Sequence, residues 1–415
     1  MTHRPDVVIV GGGVVGVCTA YALVERGVRT TLLERGEVCS GASFGNGGWI
    51  LASLSMPIPG PGVIRHALPW LLDLESPLYI KPRPSLELAR WLWRFRACCN
   101  SAAKLRSFRL RRALALASLE RHAELAKIDG VESGFAQRGI LMAFASQAAL
   151  RDAARDVALL EAEGGIARAL SPEALRARIP ALTTQLAGGF EFPVDAHLRP
   201  DTFVRSLARE AERRGLAIER DTEVLEIEWS RRAPIRFHTT RGRFTADEGV
   251  LAAGAWTAEL ARKIGVRLPI EPAKGYSVSV DRPDDYPDLP VSLNEAEVVV
   301  TPMGSRLRFA GTLELAGLDM RVSMRRVGAI RRAVRTYLPG LPSPVREEIW
   351  RGLRPLSPDD LPILGRPAGT SGLIVASGHG MDGMALGPIT GELIAQLALG
   401  EAPRFDLAPF SPERF

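Results

Sequence analysis

The run Asp6-Val7-Val8-Ile9-Val10-Gly11-Gly12-Gly13-Val14-Val15-Gly16, followed by Thr30-Thr31-Leu32-Leu33-Glu34-Arg35, constrains this chain more than any other feature. Its short β-branched stretch reads as a strand, the glycines as a turn and the next apolar stretch as a helix. The second run then reads as a strand ending in an acid. Each part has a physical task in holding a dinucleotide. Gly11 allows the tight turn, and Gly13 lets the backbone approach a pyrophosphate where a side chain would collide. Gly16 lets the helix pack closely on the strand. That helix, with Val14 and Val15 in its first turn, presents unpaired N–H groups and a positive dipole end to the phosphates. Glu34 lies 23 residues after Gly11, where a carboxylate accepts both ribose hydroxyl protons. An acid here, with no basic residue replacing it, favours FAD or NAD over NADP.

The chain has 415 residues, enough for two domains, and its 46% hydrophobic content supplies large cores. The net charge of +6 is dispersed along an arginine-rich sequence. No basic stripe is interleaved with exposed aromatics, so nucleic-acid binding is not expected. The charge excess is compatible with an anionic membrane surface. Four cysteines (Cys18, Cys39, Cys98, Cys99) show neither metal spacing nor a disulfide framework, and six histidines form no HxH or HExxH group. They read as small buried residues in a reducing compartment, with no metal site. Val7 to Leu23 mimics a signal peptide, but its glycines and the strand after it explain it as the nucleotide turn. No run reaches the ~20 uninterrupted apolar residues of a spanning helix, so a transmembrane protein is not expected.

After Glu34, the small-residue loop from Cys39 to Trp49 suggests close backbone approach to a bulky ring system. Residues 57–99 are rich in Pro and Trp, and could face a membrane or a partner. Helical periodicity follows from Ser85, from Ala102 to Ile128, and from Gln147 to Glu163, with a strand-like stretch at Gln137–Phe144. Pro200 to Arg214 is a helix with Pro at its start and Gly215 at its end. The strands Ala217–Glu219 and Glu223–Trp229 come next. Val250–Leu251 then runs into a glycine turn at Gly254, a second strand end facing the same crevice. Alternation at Tyr276–Val280, and Val298–Thr301 against Leu307–Ala310 across Met303-Gly304-Ser305, indicates an antiparallel sheet with a hairpin. A basic helix is expected over Met320–Tyr337.

The final segment, Leu373 to Gly383 and a helix from Met384 to Leu399, repeats the opening logic of strand, glycine turn and helix N-terminus. A nicotinamide enzyme needs one such turn. A second, glycine-lined helix N-terminus suits the electron-rich end of a flavin, where its dipole stabilises negative charge on the reduced ring.

The glycine fingerprint, Ser43-Phe44-Gly45-Asn46-Gly47-Gly48, Ser76–Pro82, Lys274-Gly275-Tyr276-Ser277, Arg308–Glu314 and Trp350-Arg351-Gly352-Leu353-Arg354-Pro355 fall in order along the chain. Together they resemble the D-amino-acid dehydrogenase branch of the D-amino-acid oxidase superfamily of FAD-dependent oxidoreductases. The resemblance implies an α/β fold in which a discontinuous Rossmann-like FAD-binding domain comprises residues 1–85, 196–268 and 346–415. A substrate domain with a mixed, antiparallel-rich sheet and helices would comprise residues 86–195 and 269–345. It implies FAD contacts at Gly11, Gly13, Val14, Val15, Gly16, Glu34, Arg35, Ser43, Gly47, Gly48 and Trp49. Further contacts would come from Val224, Gly254, Gly380, Met381, Asp382, Gly383 and Met384. Arg354 would grip the substrate carboxylate and Tyr276 would line the substrate pocket; these are the expected catalytic residues.

The implied chemistry is hydride transfer from Cα of a D-amino acid to flavin N5. It yields an imino acid, then a 2-oxo acid and ammonia, with electrons passed to a quinone or carrier protein. Arginine's planar fork suits a buried carboxylate, and fixing that group aims Cα–H at the ring. Where glycine oxidases of this superfamily carry a second arginine, this chain has Met381, which suggests a pocket open to bulkier or apolar side chains. Asp382 suits either a cationic or hydroxylated substrate or the capping of the following helix. A D-proline or D-hydroxyproline dehydrogenase, an oxygen-using glycine or sarcosine oxidase, and a non-catalytic flavoprotein subunit are the alternative readings. The expected location is cytoplasmic, with peripheral attachment to the inner face of the membrane and homo-oligomer formation both left open.

Overall fold

The computed structural model describes residues 6–53, 55–72, 76–230 and 233–415; residues 73–75 of the Pro/Trp-rich stretch lie outside them. It is built on two large sheets. The first has six strands, in the order Ile363–Gly365, Leu373–Ser377, Glu248–Leu251, Val7–Val10, Thr30–Leu33, Ala217–Glu219. All pair in parallel except the edge strand Ile363–Gly365. Val7–Val10 is buried throughout, as a near-continuous apolar run in a parallel sheet must be. The chain leaves it toward Thr30–Leu33 on one side and returns later to Glu248–Leu251 on the other, so a crevice opens at its carboxyl end.

Two helices line that crevice. Val14–Glu25 and Gly383–Ala398 pack side by side because the second is glycine-faced: a Cβ at Gly391 would lie 2.5 Å from the Cys18 carbonyl oxygen. One at Gly387 would lie 2.7 Å from Val14 Cγ2. Small residues at the contact bring the two helix N-termini to one place. The helix Ser101–Leu125 covers the second of them and places Leu114, Ala115 and Leu119 in the same core.

The second sheet has nine strands and is mixed. Its order is Glu347–Leu356, Glu271–Asp281, Arg306–Leu315, Val298–Met303, Val291–Leu293, Ile140–Phe144, Gly188–Phe192, Arg168–Leu170, with Leu78–Ile80 also on Arg306–Leu315. The expected hairpin is present, with Val300 opposite Phe309. The helix Met324–Tyr337 packs Val327, Ile330 and Val334 on this sheet. A three-stranded meander (Val224–Ser230, Ala233–Thr239, Gly242–Ala246) and a ribbon of Trp49–Ile50 with Ala196–His197 complete the strands.

The α/β class with two sheets is as expected, and some boundaries differ. Glu347–Leu356, expected within the last FAD segment, pairs with Glu271–Asp281 along its whole length, from Val280 opposite Glu347 to Glu271 opposite Leu356. Leu78–Ile80 also belongs to the second sheet, whereas Ser101–Leu125, expected with the substrate domain, packs under the first. Sheet membership follows hydrogen-bond register, which local composition does not encode. The basic helix begins at Met324 rather than Met320. Asp319 accepts from the Arg321 N–H at 3.0 Å, and Arg351 Nε donates to the Met320 carbonyl at 2.9 Å, so these groups are spent outside a helix. Among the described residues no helix is long and apolar enough to cross a membrane.

Candidate active site

The opening turn is shaped by backbone contacts. Gly11 sits at φ +115°, and a Cβ there would lie 2.8 Å from the Ala252 carbonyl carbon of the neighbouring strand. A Cβ on Gly16 would overlap the Gly11 carbonyl oxygen. Gly13 differs, because a Cβ there would meet only Ser43 Oγ, at 3.3 Å. Gly13 lines the crevice, and the backbone around it does not itself exclude a side chain there. Ser43 Oγ accepts the Val14 N–H at 2.9 Å, so its hydroxyl stands at the helix N-terminus. The Glu34 carboxylate accepts from Gly12 N–H at 2.7 Å and Gly36 N–H at 3.1 Å, which fixes it at the strand end with lone pairs to spare.

From there a continuous cleft, lined by Arg35, Val224 and Gly254, reaches Gly380, Met381, Gly383, Met384 and Arg354. Arg35 stacks over the Trp256 ring, 3.8 Å from its centroid. Gly254 sits at φ +53° with nothing within 4 Å of a Cβ built on it, so its requirement is conformational.

Gly47, Gly48 and Trp49 lie behind the wall rather than on it. Trp49 Nε1 donates to Thr301 Oγ1 at 2.8 Å, and that hydroxyl donates to the Gly47 carbonyl at 2.8 Å. Gly48, at φ +67°, leaves no room for a Cβ against the Leu198 carbonyl. These three hold the loop that carries Ser43, Gly45 and Asn46 into the cleft. Arg308, quoted above only within a motif, braces the same loop from the second sheet by donating to the carbonyls of Phe44 (3.1 Å) and Asn46 (3.2 Å).

At the far end, Gly380 N–H donates to the Pro355 carbonyl at 2.8 Å, tying the C-terminal turn to the strand that carries Arg354. His379 is buried, with Nε2 3.0 Å from Thr390 Oγ1. Burial pushes its imidazole down to about 3, so it is neutral near pH 7. Met381 is exposed to the cleft; Met384 is buried and its carbonyl bonds His122 Nε2 at 3.0 Å.

Asp382 fits neither expectation. It does not line the cleft, its side chain makes no capping hydrogen bond, and its carboxylate is engaged by Arg111, which also holds Asp360. Arg111 is buried between them, and a buried guanidinium requires such partners. Tyr276 lines the cleft with its ring, but its hydroxyl donates to Glu314 Oε2 at 2.9 Å and accepts from Ser323 N–H. Lys274 pairs with the same carboxylate at 3.2 Å. Burial, then the bond to Glu314, push the phenol pKa up. Tyr276 is therefore a wall, not a proton donor to a ligand.

Arg354 is the centre of this end. The strands Glu271–Asp281 and Arg306–Leu315 pair Lys274 with Glu314 and then Tyr276 with Gly311, so one extra residue bulges near Thr312. Thr312 takes φ +66°, rare for a β-branched residue, and its carbonyl accepts from Arg354 Nη1 at 2.8 Å. No carboxylate among the described residues pairs with Arg354, and burial alone lowers its pKa to about 10. A recessed cation facing a cleft without a counter-charge is chemically suited to take an anion.

The cleft joins an acid and a glycine turn to a helix N-terminus and a guanidinium without a carboxylate partner, an arrangement that fits a dinucleotide-dependent oxidoreductase. The family model described as FAD dependent oxidoreductase matches residues 6–397, and the chain belongs to that family. Its cofactor is FAD, which the open face of Gly13, the Glu34 carboxylate and the two converging helix N-termini fit. The chain is similar to a D-amino acid dehydrogenase of Cereibacter sphaeroides, at 32% identity over 99% of this chain and 95% of that one. It is also similar to a D-amino-acid oxidase of Bradyrhizobium diazoefficiens, at 31% over the whole of both chains. Among solved structures, glycine oxidase from Geobacillus kaustophilus superposes with a TM-score of 0.81 at 28% identity, covering 100% of both chains. The protein is an FAD-dependent oxidoreductase, and its homology supports amino-acid oxidation.

Proposed function

We propose that this protein is a D-amino-acid dehydrogenase that oxidises its substrate at Cα. The uncompensated guanidinium of Arg354 at the flavin end of the cleft carries this reading. Bound FAD supplies the hydride acceptor. Arg354 takes the carboxylate through its planar fork, and the Thr312 carbonyl fixes the guanidinium from behind. Holding the carboxylate sets the orientation of Cα–H, the main contribution expected of the protein. His379 is neutral and bonded to Thr390, and the Tyr276 hydroxyl is spent on Glu314. Neither takes the ammonium proton, so the substrate amine reacts in its neutral form. Loss of the Cα hydride and one N–H proton gives the imino acid, which water hydrolyses to 2-oxo acid and ammonia.

The proposed acceptor of the electrons is a quinone or a carrier protein, in keeping with the dehydrogenase name of several relatives. The glycine oxidase likeness favours a second reading, an oxygen-using enzyme of small amines. Met381 in the C-terminal turn weighs against it. Anaerobic mixing with D-amino acids, D-proline derivatives, glycine and sarcosine separates these. Bleaching of the flavin by D-amino acids supports the proposal, and bleaching by glycine or sarcosine alone overturns it. Reoxidation by a soluble quinone faster than by dissolved oxygen supports the assigned acceptor.

A further inference from the structure

Trp350, Gly352 and Arg354 alternate along the strand Glu347–Leu356, so their side chains leave the same face of the sheet. Gly352 pairs directly with Gly275 of the neighbouring strand, and opposite residues share a face. The two glycines are occupied from above by different groups. A Cβ on Gly275 would lie 2.5 Å from Arg354 Cζ, and one on Gly352 would lie 2.6 Å from Trp350 Cζ2. The guanidinium and the six-membered ring of the indole therefore rest side by side on a bare glycine pair, whose α-carbons are about 5 Å apart.

A further glycine makes room for the rest of the indole. Gly45 comes from the loop bearing Ser43, and a Cβ there would lie 2.7 Å from Trp350 Cγ. Two glycines from separate segments, Gly352 and Gly45, thus make room for one half-buried aromatic ring, which lines the cleft beside Arg354. Met320, Met381 and Ala310 line this end as well. Of the charged lining residues, Glu34, Glu223 and Lys263 gather around Val224, where the Thr222 N–H donates to the Glu34 carbonyl and Lys263 Nζ to the Leu225 carbonyl, and Arg35 stacks over Trp256. Among the described lining residues of the strands Glu271–Asp281, Arg306–Leu315 and Glu347–Leu356 and of the C-terminal turn, Arg354 is the sole formally charged one.

We infer that Trp350 is the specificity-determining residue of this site: with the carboxylate on Arg354, the substrate side chain lies against the indole. The substrate class is amino acids with flat or extended apolar side chains, and a charged side chain would be desolvated here without a partner. This rests on the amino-acid oxidation proposed above. Arg354 alone holds the carboxylate but leaves the rest of the molecule undefined, and the indole supplies the second contact.

The test uses the FAD-loaded protein and two carboxylates that it cannot oxidise at an amine, 3-phenylpropionate and propionate, the des-amino counterparts of phenylalanine and alanine. Binding is read from the perturbation of the flavin absorption spectrum. The wild-type protein should bind 3-phenylpropionate about tenfold or more tighter than propionate. W350A should bring that ratio to about threefold or less, and W350F should keep it within about threefold of wild type. Should W350A fail to hold FAD, W350L keeps most of the volume without the flat ring, and its ratio should fall below that of W350F. A wild-type ratio near one, or a variant that weakens both acids equally, overturns the assignment. If no D-amino acid bleaches the flavin while the ratios behave as stated, the dehydrogenase reading fails and Trp350 stands as the side-chain platform of a different carboxylate substrate.

Discussion

The Arg354 guanidinium donates to the backbone carbonyl of Thr312, 2.8 Å away, and among the described residues no carboxylate stands against it. A backbone carbonyl holds the arginine in place without neutralising it, so the charge is kept for a ligand. Replacing Arg354 by Ala removes a bidentate charge-assisted pair, and apparent substrate affinity should fall by roughly 100- to 1000-fold. Arg354→Lys keeps the charge but loses the fork, and should recover only part of that loss. Anaerobic titration of the flavin spectrum measures both; unchanged affinity in Arg354→Ala would remove the assigned carboxylate clamp.

Gly13 and Gly11 should respond differently to the same added methyl group. At Gly13 a Cβ meets only Ser43 Oγ, whereas at Gly11 it meets the Ala252 carbonyl and φ is +115°. Gly13→Ala should leave apoprotein stability within about 1 kcal/mol of wild type while weakening FAD binding. Gly11→Ala should destabilise the apoprotein itself by more than that. Denaturant midpoints of the apoproteins, with flavin fluorescence titration, distinguish the two.

Glu34 is positioned by the N–H groups of Gly12 and Gly36. Glu34→Ala should raise the dissociation constant for FAD by roughly ten- to a hundredfold, from loss of charge-assisted bonds to ribose. Ultrafiltration of the reconstituted protein checks this, and full FAD retention in the variant would speak against the assigned role.

Arg111 is buried between Asp360 and Asp382, and Asp382 points away from the cleft. Arg111→Met leaves two buried carboxylates facing each other and should cost about 3–5 kcal/mol of stability, read from denaturant unfolding. Asp382→Asn should leave any discrimination against cationic side chains unchanged. A shift of preference toward or away from lysine-like substrates in that variant would put Asp382 back in the substrate site.

His122 and His379 are buried and neutral, and burial lowers their imidazoles from 6.5 to about 4 and about 3. Below pH 6.5 the unfolded chain binds protons that the folded one refuses. Their share of stability is therefore intact above about pH 6.5 and is lost as the pH falls toward 4. Together they contribute a slope of at most roughly 2.7 kcal/mol per pH unit. His122→Gln retains a donor toward the Met384 carbonyl and should remove about half of that slope. Unfolding midpoints between pH 4 and 7 give the comparison, and an identical slope in the variant would exclude His122 as a contributor.

What the sequence determined by itself were the features written in local spacing. Strand, glycine turn, helix and acid at Val7–Glu34 form one contiguous unit, and the same grammar recurs at Leu373–Ala398. The hairpin through Met303-Gly304-Ser305 was equally local. Tertiary structure decided everything that depends on which distant strands share hydrogen bonds. The strand of Arg354 joined the second sheet because its register matches Glu271–Asp281, a pairing across some eighty residues that no local pattern encodes. The same pairing set Gly352 beside Gly275 and so brought Trp350 next to Arg354. Likewise Asp382, adjacent in sequence to flavin-end residues, was taken out of the site by Arg111, 271 positions away. Short-range sterics and dipoles choose the turn, whereas the uses of a buried charge are chosen by whichever partner the packed core delivers.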